Sequence, residues 1–152
     1  MDEKHILTIT RTFSAPREKV WAACADEDQL MKWWGQPKDG VMPFAKLDFT
    51  VGGSFHFMVE LPGDIEIWGK SIYKEIVEPE RLVFDEYFSN EHGDLLDDEE
   101  LPKSLITLTL AVKGNETELT VRHEGIGVAP HTIVQYKEGW GESLDKLAAL
   151  VR

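Results

Sequence analysis

From Phe44 to Glu124 apolar and polar side chains alternate in runs of period two, each run closed by turn-forming residues. No other feature restricts the chain as much, because such runs are the signature of consecutive antiparallel strands joined by hairpins. Six strands are predicted, at Phe44–Phe49, Ser54–Leu61, Glu66–Val77, Arg81–Phe88, Lys103–Val112 and Glu116–Glu124. Turns fall at Gly52-Gly53, Pro62-Gly63-Asp64, Glu78-Pro79-Glu80 and Gly114-Asn115, where Gly and Asn tolerate positive φ and Pro presets the turn. A further strand, Ile6 to Phe13, precedes them and directs Leu7, Ile9 and Phe13 to one face.

The other period in the chain is helical. Ile133, Tyr136, Trp140, Leu144, Leu147 and Val151 recur three or four apart, which predicts one long amphipathic C-terminal helix. Its start is open between a capping box at Thr132-Ile133-Val134-Gln135 and Pro130 as first helical residue. Two short helices are expected after the first strand. One starts near Pro16 and carries Val20, Trp21 and Cys24; the other is capped by Asp26-Glu27-Asp28-Gln29, carries Leu30, Met31, Trp33 and Trp34, and stops at Gly35 and Pro37. A seven-stranded antiparallel sheet with one apolar face needs a cover, and only the terminal helix is long enough to supply it. One helix is narrower than that sheet, so the rest of the concavity is either filled by aromatic side chains or left as a cavity.

At 152 residues the chain suits one domain and is too short for two cores. Its 28 acids against 16 Lys and Arg give a net charge of −12, the wrong sign for nucleic acid and unfavourable for anionic membranes. Eight of the acids lie between Asp85 and Glu100, a stretch without Lys or Arg. The lone Cys24 excludes an internal disulfide, the first residues lack an export pattern, and no apolar run approaches the roughly 20 residues of a membrane span, so a cytoplasmic protein is expected.

Six short motifs carry a resemblance. Thr10 to Trp21 (TRTFSAPREKVW), the pair Trp33-Trp34, Val51-Gly52-Gly53-Ser54-Phe55, Pro79 to Phe84 (PERLVF), Thr117 to His123 (TELTVRH), and Gly139-Trp140 followed by Leu144-Asp145-Lys146-Leu147 stand in this order. Together they resemble, over nearly the whole chain, the family related to the C-terminal domain of the heat-shock protein 90 ATPase activator. That family belongs to the START-like SRPBCC superfamily, with the START lipid-transfer domains, the birch-pollen allergen and the aromatic polyketide cyclases. The resemblance implies an α+β helix-grip domain spanning residues 1–152 and a hydrophobic cavity for a hydrophobic or amphipathic small molecule. It brings no universal catalytic residue and no cofactor. Through the eukaryotic activator it also implies a link to stress response and, as an alternative partner, a chaperone ATPase. A third reading is an enzyme of the cyclase or isomerase kind using His123. The acidic insert Ser89–Leu101 departs from many relatives.

The candidate ligand-binding residues are Trp33, Phe44, Phe55, Phe57, Trp68, Tyr73, Tyr87, His123, Tyr136 and Trp140. Such aromatic side chains either close a core or line a cavity, and the resemblance favours the cavity. Trp140 stands between Gly139 and Gly141 in mid-helix, where each Gly costs about 1 kcal/mol relative to Ala, so either close packing or room for a ligand is the expected compensation. His123 alternates with Thr117, Leu119 and Val121 and is predicted to point inward, where desolvation lowers its pKa and keeps it neutral at pH 7.

Other patterns carry less chemistry. His5, His56, His92, His123 and His131 have no metal-ligand spacing. Gly125-Ile126-Gly127 reads as a loop rather than a dinucleotide fingerprint, Ser143 lies in a helix rather than on a nucleophile elbow, and Cys24 is expected to pack. Asp97-Asp98-Glu99-Glu100 reads as a solvated loop or a docking patch for a basic partner. Leu95, Leu96 and Leu101 beside it raise the idea of a lid.

Overall fold

The computed structural model describes residues 4–96, 103–126 and 130–152. The elements follow in the order β1 (Lys4–Phe13), α1 (Arg17–Ala25), α2 (Glu27–Leu30), β2 (Val41–Leu47), β3 (Ser54–Leu61), β4 (Ile65–Val77), β5 (Arg81–Phe88), β6 (Lys103–Lys113), β7 (Glu116–Ile126) and α3 (Pro130–Val151). All seven strands form one antiparallel sheet in the order β1-β7-β6-β5-β4-β3-β2. Strands β2 to β7 are laid down by successive connections, and β1 closes the far side by pairing with β7 from Lys4↔Ile126 to Phe13↔Thr117. The seven-stranded sheet, its terminal helix and the two short helices between β1 and β2 make the helix-grip fold.

Alternation places the core. Phe55, Phe57, Leu119 and Val121 of the inner face are buried in one cluster with Trp140, Leu144 and Leu147 of α3. Each large side chain so buried contributes about 1.5–3 kcal/mol. Helix α1 adds Val20, Trp21, Ala23 and Cys24 to the same cluster. Pro16 caps it, and its carbonyl accepts from the Lys19 and Val20 amides. Polar ties fix the C-terminal half of α3. Arg11 on β1 reaches Asp145 at 2.7 Å, while Ser143 and Lys146 donate to the Gln36 backbone and side-chain oxygens at 3.0 and 3.1 Å.

Three sequence expectations are corrected. The second helix is a single turn ending at Leu30, capped by Asp26 accepting from the Gln29 amide, so Trp33 and Trp34 lie in the turns beyond it. These turns are held by short-range bonds such as Trp33 N to Leu30 O and end at Gly35, whose φ of 62° favours glycine. Strand β2 begins three residues early, because a register shift between Val41 and Phe44 lets Val41 pair with Glu60. Strand β7 runs on to Ile126: Gly125 and Ile126, read as loop, pair with β1 on one side and β6 on the other. Helix α3 starts at Pro130.

Candidate functional site

Between the sheet and the N-terminal half of α3 lies a cavity of about 310 Å³, at the small end of the range for small-molecule sites. Its wall includes Trp34 and Pro37 from the α2–β2 connection, Phe57 and Val59 of β3, Glu86 of β5, Ser104 of β6, His123 of β7, and Tyr136, Gly139 and Trp140 of α3. Ile67 and Phe88 are 37% and 39% exposed and form part of the apolar lining. Gly69 is required here by its neighbour: a Cβ would stand 2.6 Å from the Phe57 ring, so the bare backbone seats that ring in the wall.

One polar chain crosses this apolar space. The Trp140 indole Nε1 donates to His123 Nδ1 at 2.9 Å, and His123 Nε2 lies 2.6 Å from Ser104 Oγ. An indole N–H can only donate, so Nδ1 must be the bare nitrogen and the proton sits on Nε2, which donates to Ser104. The imidazole is therefore neutral. Burial independently pushes its pKa down to about 4. Tyr136 stacks on the ring at 4.8 Å and 14°.

Glu86 supplies the second polar group. It alternates with Leu82 and Phe84 on β5 and stands opposite Ser71 of β4 and Ser104 of β6. Burial raises its pKa to about 7, partly offset by the nearby Trp34 indole, which favours the ionised form. The Trp34 N–H has no hydrogen-bond partner at bonding distance, and the Ser71 hydroxyl beside Glu86 is likewise unpaired. Burial raises the pKa of Tyr73 and Tyr136, and the Glu86 carboxyl adds to both shifts, at Tyr73 after Cys24.

Of the sequence candidates, Phe57, Trp68, Tyr87, His123, Tyr136 and Trp140 line the cavity. Trp33, Phe44, Phe55 and Tyr73 do not. Trp33 is fully buried and donates to the Ala23 carbonyl, locking α1 to the following turn. Phe55 and Tyr73 face a residual void of about 10 Å³ with Cys24, whose thiol burial pushes up to about 12. Phe44 pairs with Met58, on the opposite face from Phe57, and packs on His56 and Trp68. Trp68 thus lines the cavity while its ring packs against Phe44 and His56.

The helix glycines open space rather than close it, since a Cβ at Gly139 or Gly141 would meet nothing within 4 Å. Glu86, Ser104 and Trp34 were not singled out as site residues. Inward alternation with Leu82 and Phe84, or with Ile106 and Leu108, was the available signal for the first two.

The described residues that follow β5, 89–96, do not line the cavity. Leu95 bridges to Ser89 and Leu96 N bonds Phe88 O, while Asn90 and Gly93 carbonyls lie 3.1 and 3.0 Å from His56 Nε2 and Lys70 Nζ. The rest of the lid and docking expectation, Asp97–Leu101, lies outside the described residues. Among the described residues no group of three or more His, Cys, Asp or Glu is placed to hold a metal, and no helix is long and apolar enough to cross a membrane.

Residues 14–152 match the family described as activator of Hsp90 ATPase homolog 1-like protein. The chain belongs to that family. Solved structures agree: a protein from Chromobacterium violaceum is 28% identical with a TM-score of 0.81 and 96% of each chain covered. A Staphylococcus epidermidis protein is 27% identical with a TM-score of 0.83, covering 98% of this chain and 90% of that one. One from Mycobacterium smegmatis is 26% identical with a TM-score of 0.79, covering 97% and 90%. No curated protein matches the chain.

Proposed function

We propose that this family member binds a compact hydrophobic or amphipathic molecule, without transforming it, in the cavity under the N-terminal half of α3. The observation that carries the reading is the cavity's composition: apolar and aromatic walls with a few convergent polar groups, Glu86, Ser104 and the Trp34 N–H. His123 supports binding rather than catalysis, because both ring nitrogens are engaged by the protein. Its role is to fix Ser104, which accepts from Nε2 and keeps its own proton for a ligand. Native mass spectrometry of freshly purified protein tests this. A small-molecule adduct lost on denaturation is expected; a bare mass, with no quenching of tryptophan emission by apolar probes, overturns it.

One observation favours a second reading. A carboxyl with a pKa near 7 in an apolar cavity suits proton transfer at a carbon beside a carbonyl, with Glu86 rather than His123 as the base. Deuterium uptake into small ketones, lost in Glu86→Gln, would establish it. The family description supports a chaperone partner as a further reading, tested by stimulation of a purified Hsp90 ATPase.

A further inference from the structure

Glu86 carries an acid with no counter-charge among the described residues. It lines a cavity whose other walls are Trp34, Trp140, Tyr136, Phe57 and Phe88, and among the described residues no Lys or Arg perturbs or pairs with it. The groups that face it from the packed elements are Ser71 and Tyr73 of β4, Ser104 of β6, and Tyr136 of α3, with His123 of β7 beyond Ser104. Of these Tyr73, Tyr136 and His123 titrate, and none is cationic at neutral pH. A carboxylate desolvated in an apolar cavity without a partner is destabilising, whereas a bound cation would compensate it. Aromatic faces attract cations as well, and a partly desolvated pair of this kind is among the stronger cation–π contacts. The net charge of −12 draws cations toward the molecule and repels anions.

We propose that the cavity selects a hydrophobic monocation, an amine whose ammonium group pairs with the Glu86 carboxylate while its apolar body lies against Phe57, Tyr136 and Trp140. This rests on the reading of the cavity as a binding site. The unpaired Trp34 N–H completes the arrangement, because a fully ionised Glu86 accepts from the ammonium on one side and from the indole on the other. Glu86 must lose its proton to pair, so amine binding releases a proton and strengthens as pH rises through neutrality.

Three probes of one shape separate the outcomes: 4-phenylbutylamine, 4-phenylbutanol and 4-phenylbutyrate, titrated by calorimetry against the wild-type protein. At about pH 8 the amine is expected to bind about tenfold more tightly than the alcohol, with the acid weakest. From about pH 8 to about pH 6 the amine should weaken about tenfold while the alcohol stays level. In Glu86→Gln, checked for fold by circular dichroism, the amine-to-alcohol ratio should fall to about one. Alcohol as tight as amine overturns the proposal and leaves the cavity reading intact; so does acid as the tightest ligand, which would mean that neutral Glu86 and Trp34 donate to an acceptor. Failure of all three to bind overturns the cavity reading itself.

Discussion

Trp34 lines two voids on the concave side of the sheet, and they are built differently. On one side Phe55, Tyr73, Leu82, Phe84 and Leu108 meet Cys24 and Leu30 and leave only about 10 Å³ unfilled. On the other about 310 Å³ stays open. The same sheet contributes to both regions, so the difference lies in the cover. Leu144 and Leu147 join the packed core together with Val20 and Cys24 of α1, whereas the open side is bounded on α3 by Gln135, Tyr136, Gly139, Trp140 and Ser143. Where α1 and α2 bring Cys24 and Leu30 over the sheet, apolar bulk fills the space; where α3 and the α2–β2 connection form the cover, Gly35, Gly139 and Ser143 leave it open.

Trp140→Ala is the largest perturbation expected, about 3–5 kcal/mol of stability by denaturant titration, since it removes a buried ring and the partner of His123. It should also weaken uptake of an apolar probe. A variant as stable as the parent would break the assignment of Trp140 to the wall. Leu147→Ala belongs to the packed region and should lower stability by about 2–5 kcal/mol while probe affinity holds. Equal loss of affinity in both variants would mean that the two regions are not separate.

A third test uses pH, because buried His123 and half-buried Glu86 act in opposite directions. His123 has its pKa lowered from 6.5 to about 4, so its contribution is full above 6.5 and fades as pH falls toward 4. Glu86 has its pKa raised from 4.5 to about 7, so its contribution is full below 4.5 and fades as pH rises through 7. Between 4.5 and 6.5 they oppose each other. In Glu86→Gln only the His123 slope remains, and urea midpoints should rise more steeply with pH than in the parent; His123→Gln should tilt them the other way. Parallel profiles in all three proteins would remove both assignments.

The smallest effect sharpens the comparison from the open side. Gly139→Ala places a methyl where nothing stands within 4 Å, so helix propensity alone should raise stability by up to about 1 kcal/mol in thermal melts. Destabilisation of the same size would show that the helix needs the glycine for close approach.

The strands were legible because alternation and turn chemistry are local: Ser54–Leu61 and Arg81–Phe88 stand where the period placed them. The site was legible only in part. Phe57, His123, Tyr136 and Trp140 carried inward or helical spacing, but nothing in their spacing separates a ring that lines a cavity from one, like Phe55 or Tyr73, that closes a core. Glu86 was hidden by composition, since it is one of eight acids from Asp85 to Glu100, and only its alternation with Leu82 and Phe84 set it apart.

The sequence by itself determined the antiparallel sheet, the terminal helix, the neutral inward His123 and the family, because each follows from periodicity, turn residues or motifs read along the chain. Tertiary structure alone decided where the concavity closes and where it stays open. It also decided that Trp34, Glu86, Ser104 and Trp140 meet there from four segments. Volume between elements depends on which side chains face each other across the fold, and that is a property of pairs distant in sequence.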